Sequence, residues 1–143
     1  MTVSADATGG WTIAEHPGVT RARQYMEAFH AWRVDAMRDF YSDDVVWHVA
    51  GNHRLSGDYR GKNELFEYFR TVRDLTGGSL ILEPESILAS DRHTAMFTRV
   101  RGSRAGRALD VLLAQVMTVG PDGRWTEYWA VADDQEAVDA FWS

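Results

Sequence analysis

Residues 44–61 read DVVWHVAGNHRLSGDYRG. The run Val45, Val46, Trp47 is apolar, carries one imidazole at His48, breaks at Gly51 and Gly57, and gives way to a new pattern after Gly61. This predicts a short strand, a glycine-punctuated loop and a helix start. A buried imidazole needs hydrogen-bond partners or it costs stability. His48 is therefore a candidate site residue, with a satisfied core or rim histidine as the alternative.

Before this stretch, residues 1–16 are small, polar and glycine-containing, with Trp11 and Ile13 the residues able to pack, and read as a tail. Pro17 suits a first helical turn, and Val19, Ala22, Met26 and Phe29 then recur at helical spacing, bordered by Tyr25 and His30. A second short helix is expected from Val34 to Tyr41. After the stretch, Asn63 is the expected cap of a third helix with Leu65, Phe66, Phe69 and Val72 on one face, stopped by Gly77-Gly78.

From Leu80 the period changes to that of strands. Segments near 80–90, 93–101, 109–119 and 125–132 are separated by Ser90-Asp91, 102–106 and Pro121-Asp122-Gly123 turns, and a closing helix follows Asp133-Asp134-Gln135-Glu136. Consecutive strands with tight turns imply an antiparallel sheet. Helices followed by strands give an α+β order, in which the helices cover one face of a curved sheet. A cone of this kind has an apolar interior, and a pocket at its mouth is the default binding site. One domain over 17–143 is expected.

Composition removes several functions. The chain has no cysteine, which excludes disulfides, thiolate metal sites and cysteine nucleophiles and points to a cytoplasmic setting. A net charge of −6 argues against a nucleic-acid backbone or an anionic membrane as partner. No run approaches the ~20 apolar residues of a membrane span, and no G-x-S-x-G, Walker or G-x-G-x-x-G motif occurs. His48 and His53 sit five apart across a loop, not on one face of an element, so no metal site is expected.

An N-terminal helix, FYSDDVVWHVAG, then SGDYRG opening a helix, ALDVLLAQVMTVGPDGRW and EYWAVADDQEAVDAFW together resemble the nuclear transport factor two-like superfamily, over roughly 19–142. The nearest branch is the SnoaL-like polyketide cyclase and ketosteroid isomerase-like one. The resemblance implies a conical curved antiparallel sheet wrapped around N-terminal helices, a cystatin-like α+β barrel. It also implies isomerase, cyclase or eliminating-lyase chemistry without cofactor on a small or polycyclic hydrophobic carbonyl compound. Non-catalytic binding of a small hydrophobic ligand is the alternative, and epoxide hydrolysis a second.

Carried over residue by residue, the resemblance places His48 where isomerases have a carboxylate base, and Tyr25 and Gln115 where they have an oxyanion hole. Leu113 and Gln115 stand where epoxide hydrolases have an Arg-x-Asp pair, and Glu127 stands near those enzymes' third acid. Alternation puts Leu113, Gln115 and Met117 on one face, and Trp125, Glu127 and Trp129 on one. If these faces meet, His48, with an unperturbed pKa near ~6.5, serves as base while Tyr25 and Gln115 donate to an enolate oxygen and Glu127 is a second acid or base. Trp47, Phe29, Leu113, Met117 and Trp129 then line the substrate site. Bland alternatives are a core-bordering Tyr25, an outer-face Gln115 and a solvated Glu127.

Two surface features complete the reading. Arg99, Arg101, Arg104 and Arg107 read as a solvated hairpin, or as a site for an anion. Apolar residues fall on both faces of 109–119 (Val111, Leu113 and Met117 against Leu112, Ala114 and Val116), which predicts a homodimer through the exposed sheet face.

Overall fold

The computed structural model describes residues 2–5 and 11–143. The expected tail falls partly on residues 1 and 6–10, which lie outside the described residues. Within it β1 (Thr2–Ala5) and β2 (Trp11–Ala14) pair antiparallel as a two-stranded ribbon. The helix α1 (Pro17–His30) buries Val19, Ala22, Tyr25, Met26 and Ala28, so Tyr25 lies inside the face it was expected to border. His16 caps this helix, its Nδ1 accepting the Gly18 amide at 3.0 Å. A one-turn helix α2 (Val34–Arg38) follows and stops earlier than expected, because Tyr41 already opens β3 (Tyr41–Val49).

The glycine-punctuated loop contains a strand that its sequence did not announce, β4 (Gly57–Arg60), paired antiparallel with β3 so that His48 faces Asp58. The helix α3 (Gly61–Thr76) begins before Asn63: Arg60 is its cap residue, and the Arg60 amide donates to Glu64 Oε1 at 3.0 Å. Gly77, at φ +60°, closes it in the left-handed conformation that glycine adopts without strain. Strands β5 (Ile81–Ala89), β6 (His93–Arg104), β7 (Arg107–Val119) and β8 (Trp125–Ala132) and helix α4 (Gln135–Trp142) complete the chain.

The curved sheet has the order β4-β3-β8-β7-β6-β5. Every neighbouring pair is antiparallel except β3 with β8, which run parallel and are separated in the chain by α3 and four strands. Helices cover the inner face, giving the conical α+β architecture. One buried cluster joins Tyr25, Met37, Tyr41, Val45, Trp47, Leu65, Phe69 and Tyr128. A second joins Leu55, Val72, Val100, Leu109, Val111, Phe141 and Trp142. Leu65 and Val45 have no exposed surface, and burial of each such side chain favours folding by about 1.5–3 kcal/mol. No described helix is long and apolar enough to cross a membrane.

The register of β8 carries an irregularity that decides the site. Thr118 of β7 pairs with Glu127, whereas Val119 pairs with Trp125, leaving Thr126 as an extra residue. A bulge inverts the in-out alternation beyond it. Trp125 and Tyr128 are therefore both buried, and Trp129 is 41% exposed.

Candidate functional site

Between the inner face of the sheet and the helices lies a cavity containing about 1050 Å³ of atom-free space, part of it open to solvent. Alternate residues of β7 (Leu109, Val111, Leu113, Gln115 and Met117) form a stripe along its wall. Facing them are Tyr25 and Phe29 of α1, Trp47 of β3, Tyr68 and Phe69 of α3, and Trp142 of α4. The loop after β3 reaches the rim, where His53 lines the cavity with Gln135 and Val138 of α4.

Two short hydrogen bonds join polar side chains of this wall. Tyr41 Oη donates to Tyr25 Oη at 2.6 Å, and Gln115 Nε2 donates to Tyr128 Oη at 2.7 Å. Burial pushes the Tyr128 hydroxyl up to about 12, against the lowering effect of the Gln115 hydrogen bond. Burial likewise raises Tyr25, Tyr41 and Tyr68, so these hydroxyls stay protonated and neutral. The Trp47 and Tyr128 rings stack with centroids 3.4 Å apart and planes 4° from parallel, fixing the wall beside Gln115. Among the described residues no aspartate or glutamate lines the cavity.

The expected site thus divides. Tyr25, Gln115, Trp47, Phe29, Leu113 and Met117 line the cavity, whereas Glu127 and Trp129 do not. The bulge at Thr126 turns both to the outer face, where strict alternation from Trp125 would have pointed them inward. His48 contributes to the cavity wall between Trp47 and Val49, but its imidazole is engaged on the outer side. There Nε2 lies 2.6 Å from Glu127 Oε2, Nδ1 lies 2.6 Å from Asp58 Oδ1, and the ring stacks on Trp129 at 5.5 Å. The hydrogen bond to Glu127, then that to Asp58, raises the His48 pKa, favouring a cationic ring bridging two carboxylates. The expected meeting of His48 and Glu127 with Tyr25 and Gln115 in one pocket is therefore replaced by two sites on opposite faces of one sheet.

The sequence reading gave no role to His53, which lines the cavity. Its Nδ1 accepts the Leu55 amide at 3.1 Å and its Nε2 is buried. Burial is the largest effect on its pKa and lowers it, with Asp139 and the Ala50 backbone opposing. The loop is held to α4 by Asn52 N, which donates to Asp139 Oδ1 at 3.0 Å. No short-range pattern marks His53, because its place on the cavity depends on α4, more than eighty residues later.

The arginine cluster is satisfied within the fold. Arg99 pairs with Glu85 and Asp110, and Arg101 with Glu83 and Asp110. Arg104 donates to Phe141 O at 2.8 Å and Arg107 to Ala140 O at 3.2 Å, capping the carbonyl end of α4.

The cavity is largely apolar and lies between helices and a curved sheet, a concave form in which small-molecule sites are commonly built. The chain belongs to the SnoaL-like domain family, whose model matches residues 22–128. An uncharacterised protein of Mycobacterium tuberculosis is 28% identical to it over 124 residues, 85% of this chain and 92% of the relative. Bal32a, from a soil-derived mobile gene cassette, is 25% identical with a TM-score of 0.84, covering 88% of this chain and 96% of its own. IdmH of Streptomyces antibioticus, provisionally assigned as a polyketide cyclase, shares the fold at 17% identity and a TM-score of 0.66, over 82% of this chain and 93% of its own.

Proposed function

We propose that this chain binds a small hydrophobic carbonyl-containing molecule inside the cone and polarises it by hydrogen bonding, without taking a proton from carbon. The observation that carries this reading is the division of the acid-base groups. His48 bonds to both Glu127 and Asp58 on the outer face, while the cavity presents neutral tyrosines, an amide and, at its rim, the imidazole of His53. A base for an enolisation must reach the proton it removes. Thermal stabilisation by cyclic and polycyclic ketones supports the proposal. An unchanged Tm and no calorimetric heat across the panel reject it.

Cofactor-independent isomerase, cyclase or lyase chemistry is the second reading, favoured by the presence of one imidazole, His53, in the cavity wall. Deuterium exchange at carbons next to the carbonyl separates the two. Ketones incubated in heavy water with the wild type, His53→Ala and His48→Ala are read by mass spectrometry. Exchange lost in His53→Ala supports an enzyme with His53 moving the proton, exchange lost in His48→Ala restores His48 as base, and binding without exchange supports the binding protein. Epoxide hydrolysis has less support, since Leu113 and Gln115 occupy the wall where its Arg-x-Asp pair would stand.

A homodimer and a cytoplasmic setting belong to the same proposal. The first is supported by exposed apolar residues on the outer face, Leu88, Phe97, Val116, Trp129 and Val131. The second rests on the cysteine-free sequence.

A further inference from the structure

Four buried side-chain polar atoms among the described residues have no hydrogen-bond partner: Ser42 Oγ, His53 Nε2, Thr98 Oγ1 and Gln115 Oε1. His53 and Gln115 line the cavity; Ser42 and Thr98 do not. A buried polar atom without a partner is destabilising, and in a ligand cavity the ligand supplies the missing bond.

The two atoms have opposite polarity. Gln115 Nε2 is spent on Tyr128 Oη, so Oε1 is left as an acceptor. His53 Nδ1 receives the Leu55 N–H, which requires its lone pair, so the neutral ring carries its proton on Nε2 and offers a donor. Burial favours that neutral ring.

They also sit in different parts of the wall. Gln115 lies beside Met117 and Tyr128 of the first core cluster. His53 lies against Trp142, ring centroids 6.5 Å apart, in the part of the core that holds Leu109 and Val111. Between them the lining is apolar, including Val100, Val111 and Leu113.

We propose that the cavity selects an elongated apolar molecule with a hydroxyl at one end and a carbonyl at the other, the hydroxyl donating to Gln115 Oε1 and the carbonyl accepting from His53 Nε2–H. This rests on the reading of the cavity as the ligand site and adds two specificity-determining residues to it. A ligand with acceptors alone sets its oxygen against Gln115 Oε1 and leaves that atom unpaired. One with a hydroxyl alone leaves His53 Nε2–H unpaired.

Four compounds on one skeleton test the inference by titration calorimetry: para-hydroxyphenylcyclohexanone, phenylcyclohexanone, para-cyclohexylphenol and phenylcyclohexane. The hydroxy ketone is expected to bind wild type most tightly, with loss of either group weakening binding about tenfold. Gln115→Leu is expected to erase the preference for the hydroxyl and keep that for the ketone, and His53→Phe to do the converse. Equal affinity of all four for the wild type overturns the inference while leaving the cavity reading intact. So does an unchanged order of preference in both variants. Binding by none of the four overturns the cavity reading and the inference with it. The wild-type series decides the question even if a variant fails to fold.

Discussion

Glu127 Oε2 stands 2.6 Å from His48 Nε2, while Tyr128, the next residue, stacks on Trp47 inside the cavity. Two adjacent residues of β8 thus serve opposite faces of the sheet, and the parallel pairing of Val46 with Glu127 and Trp47 with Tyr128 aligns β3 with both. The outer face gains a histidine bridging two acids. The inner face gains a wall of neutral hydrogen-bonding groups.

The bridge makes stability depend on pH. The folded-state pKa of His48 is raised by Glu127 first and Asp58 second, so its contribution is fully present below the unfolded value of about 6.5 and is lost as pH rises through the folded value. Between about pH 6 and about pH 9, wild type should lose Tm relative to His48→Gln. The side chains of His48, Asp58 and Glu127 are 28%, 46% and 36% exposed, so solvent screening keeps the difference below about 1 kcal/mol. Parallel melting curves for the two proteins would remove the bridge from the account.

The Tyr41–Tyr25 hydrogen bond is buried, with the side chains 0% and 4% exposed. Tyr25→Phe strands the Tyr41 hydroxyl without its acceptor and should cost about 1–3 kcal/mol. Removing both hydroxyls leaves no orphan, so the double variant Tyr25→Phe with Tyr41→Phe should be no less stable than Tyr25→Phe alone. Additive losses in urea denaturation would show that the pair is not coupled.

Gly51 holds the rim loop against α4. Its φ is +97°, and a Cβ there would lie 2.2 Å from Gln135 Nε2 and 2.3 Å from Asp139 Oδ1. Gly51→Ala should therefore lower stability by about 1–3 kcal/mol and shift the loop that carries His53. Protection of the Asn52 amide from hydrogen exchange should fall with it, since that amide donates to Asp139. A variant with wild-type Tm and exchange would show that the loop absorbs the methyl group.

The outer face provides the test of assembly. Val131 is 71% exposed and pairs across β7 with Ala114, beside Val116 and Trp129. If a second copy covers this face, Val131→Asp buries a charge in the contact and converts the dimer to monomer in sedimentation. A wild type that sediments as monomer at every concentration contradicts the homodimer.

Much of the architecture was legible from periodicity. The strands expected near 80–90, 93–101, 109–119 and 125–132, the first and third helices, and the inward stripe Leu113, Gln115, Met117 follow from apolar spacing and turn residues, which are local signals, although the expected 102–106 turn shrinks to a tight hairpin because β6 runs on to Arg104 and β7 starts at Arg107. The strand Gly57–Arg60 was not legible, because the three residues between Gly57 and Gly61 are too few to show an alternation and its place is set by pairing with β3. Glu127 and Trp129 were assigned to the wrong face for a comparable reason. A bulge is defined by the register between two strands, and nothing in the WTEYW alternation of residues 125–129 marks it.

The sequence determined the fold class, the apolar interior and the absence of thiol chemistry, because these depend on composition and on periods of two and 3.6 residues. The tertiary structure alone decided which polar groups share a space. A one-residue insertion in β8 exchanged Glu127 for Tyr128 in the cavity wall, and the docking of α4 on the loop after β3 brought in His53. The second depends on contact between segments distant in the chain, and the first on the register of the β7–β8 hairpin, where a shift of one residue reverses the direction of every side chain beyond it.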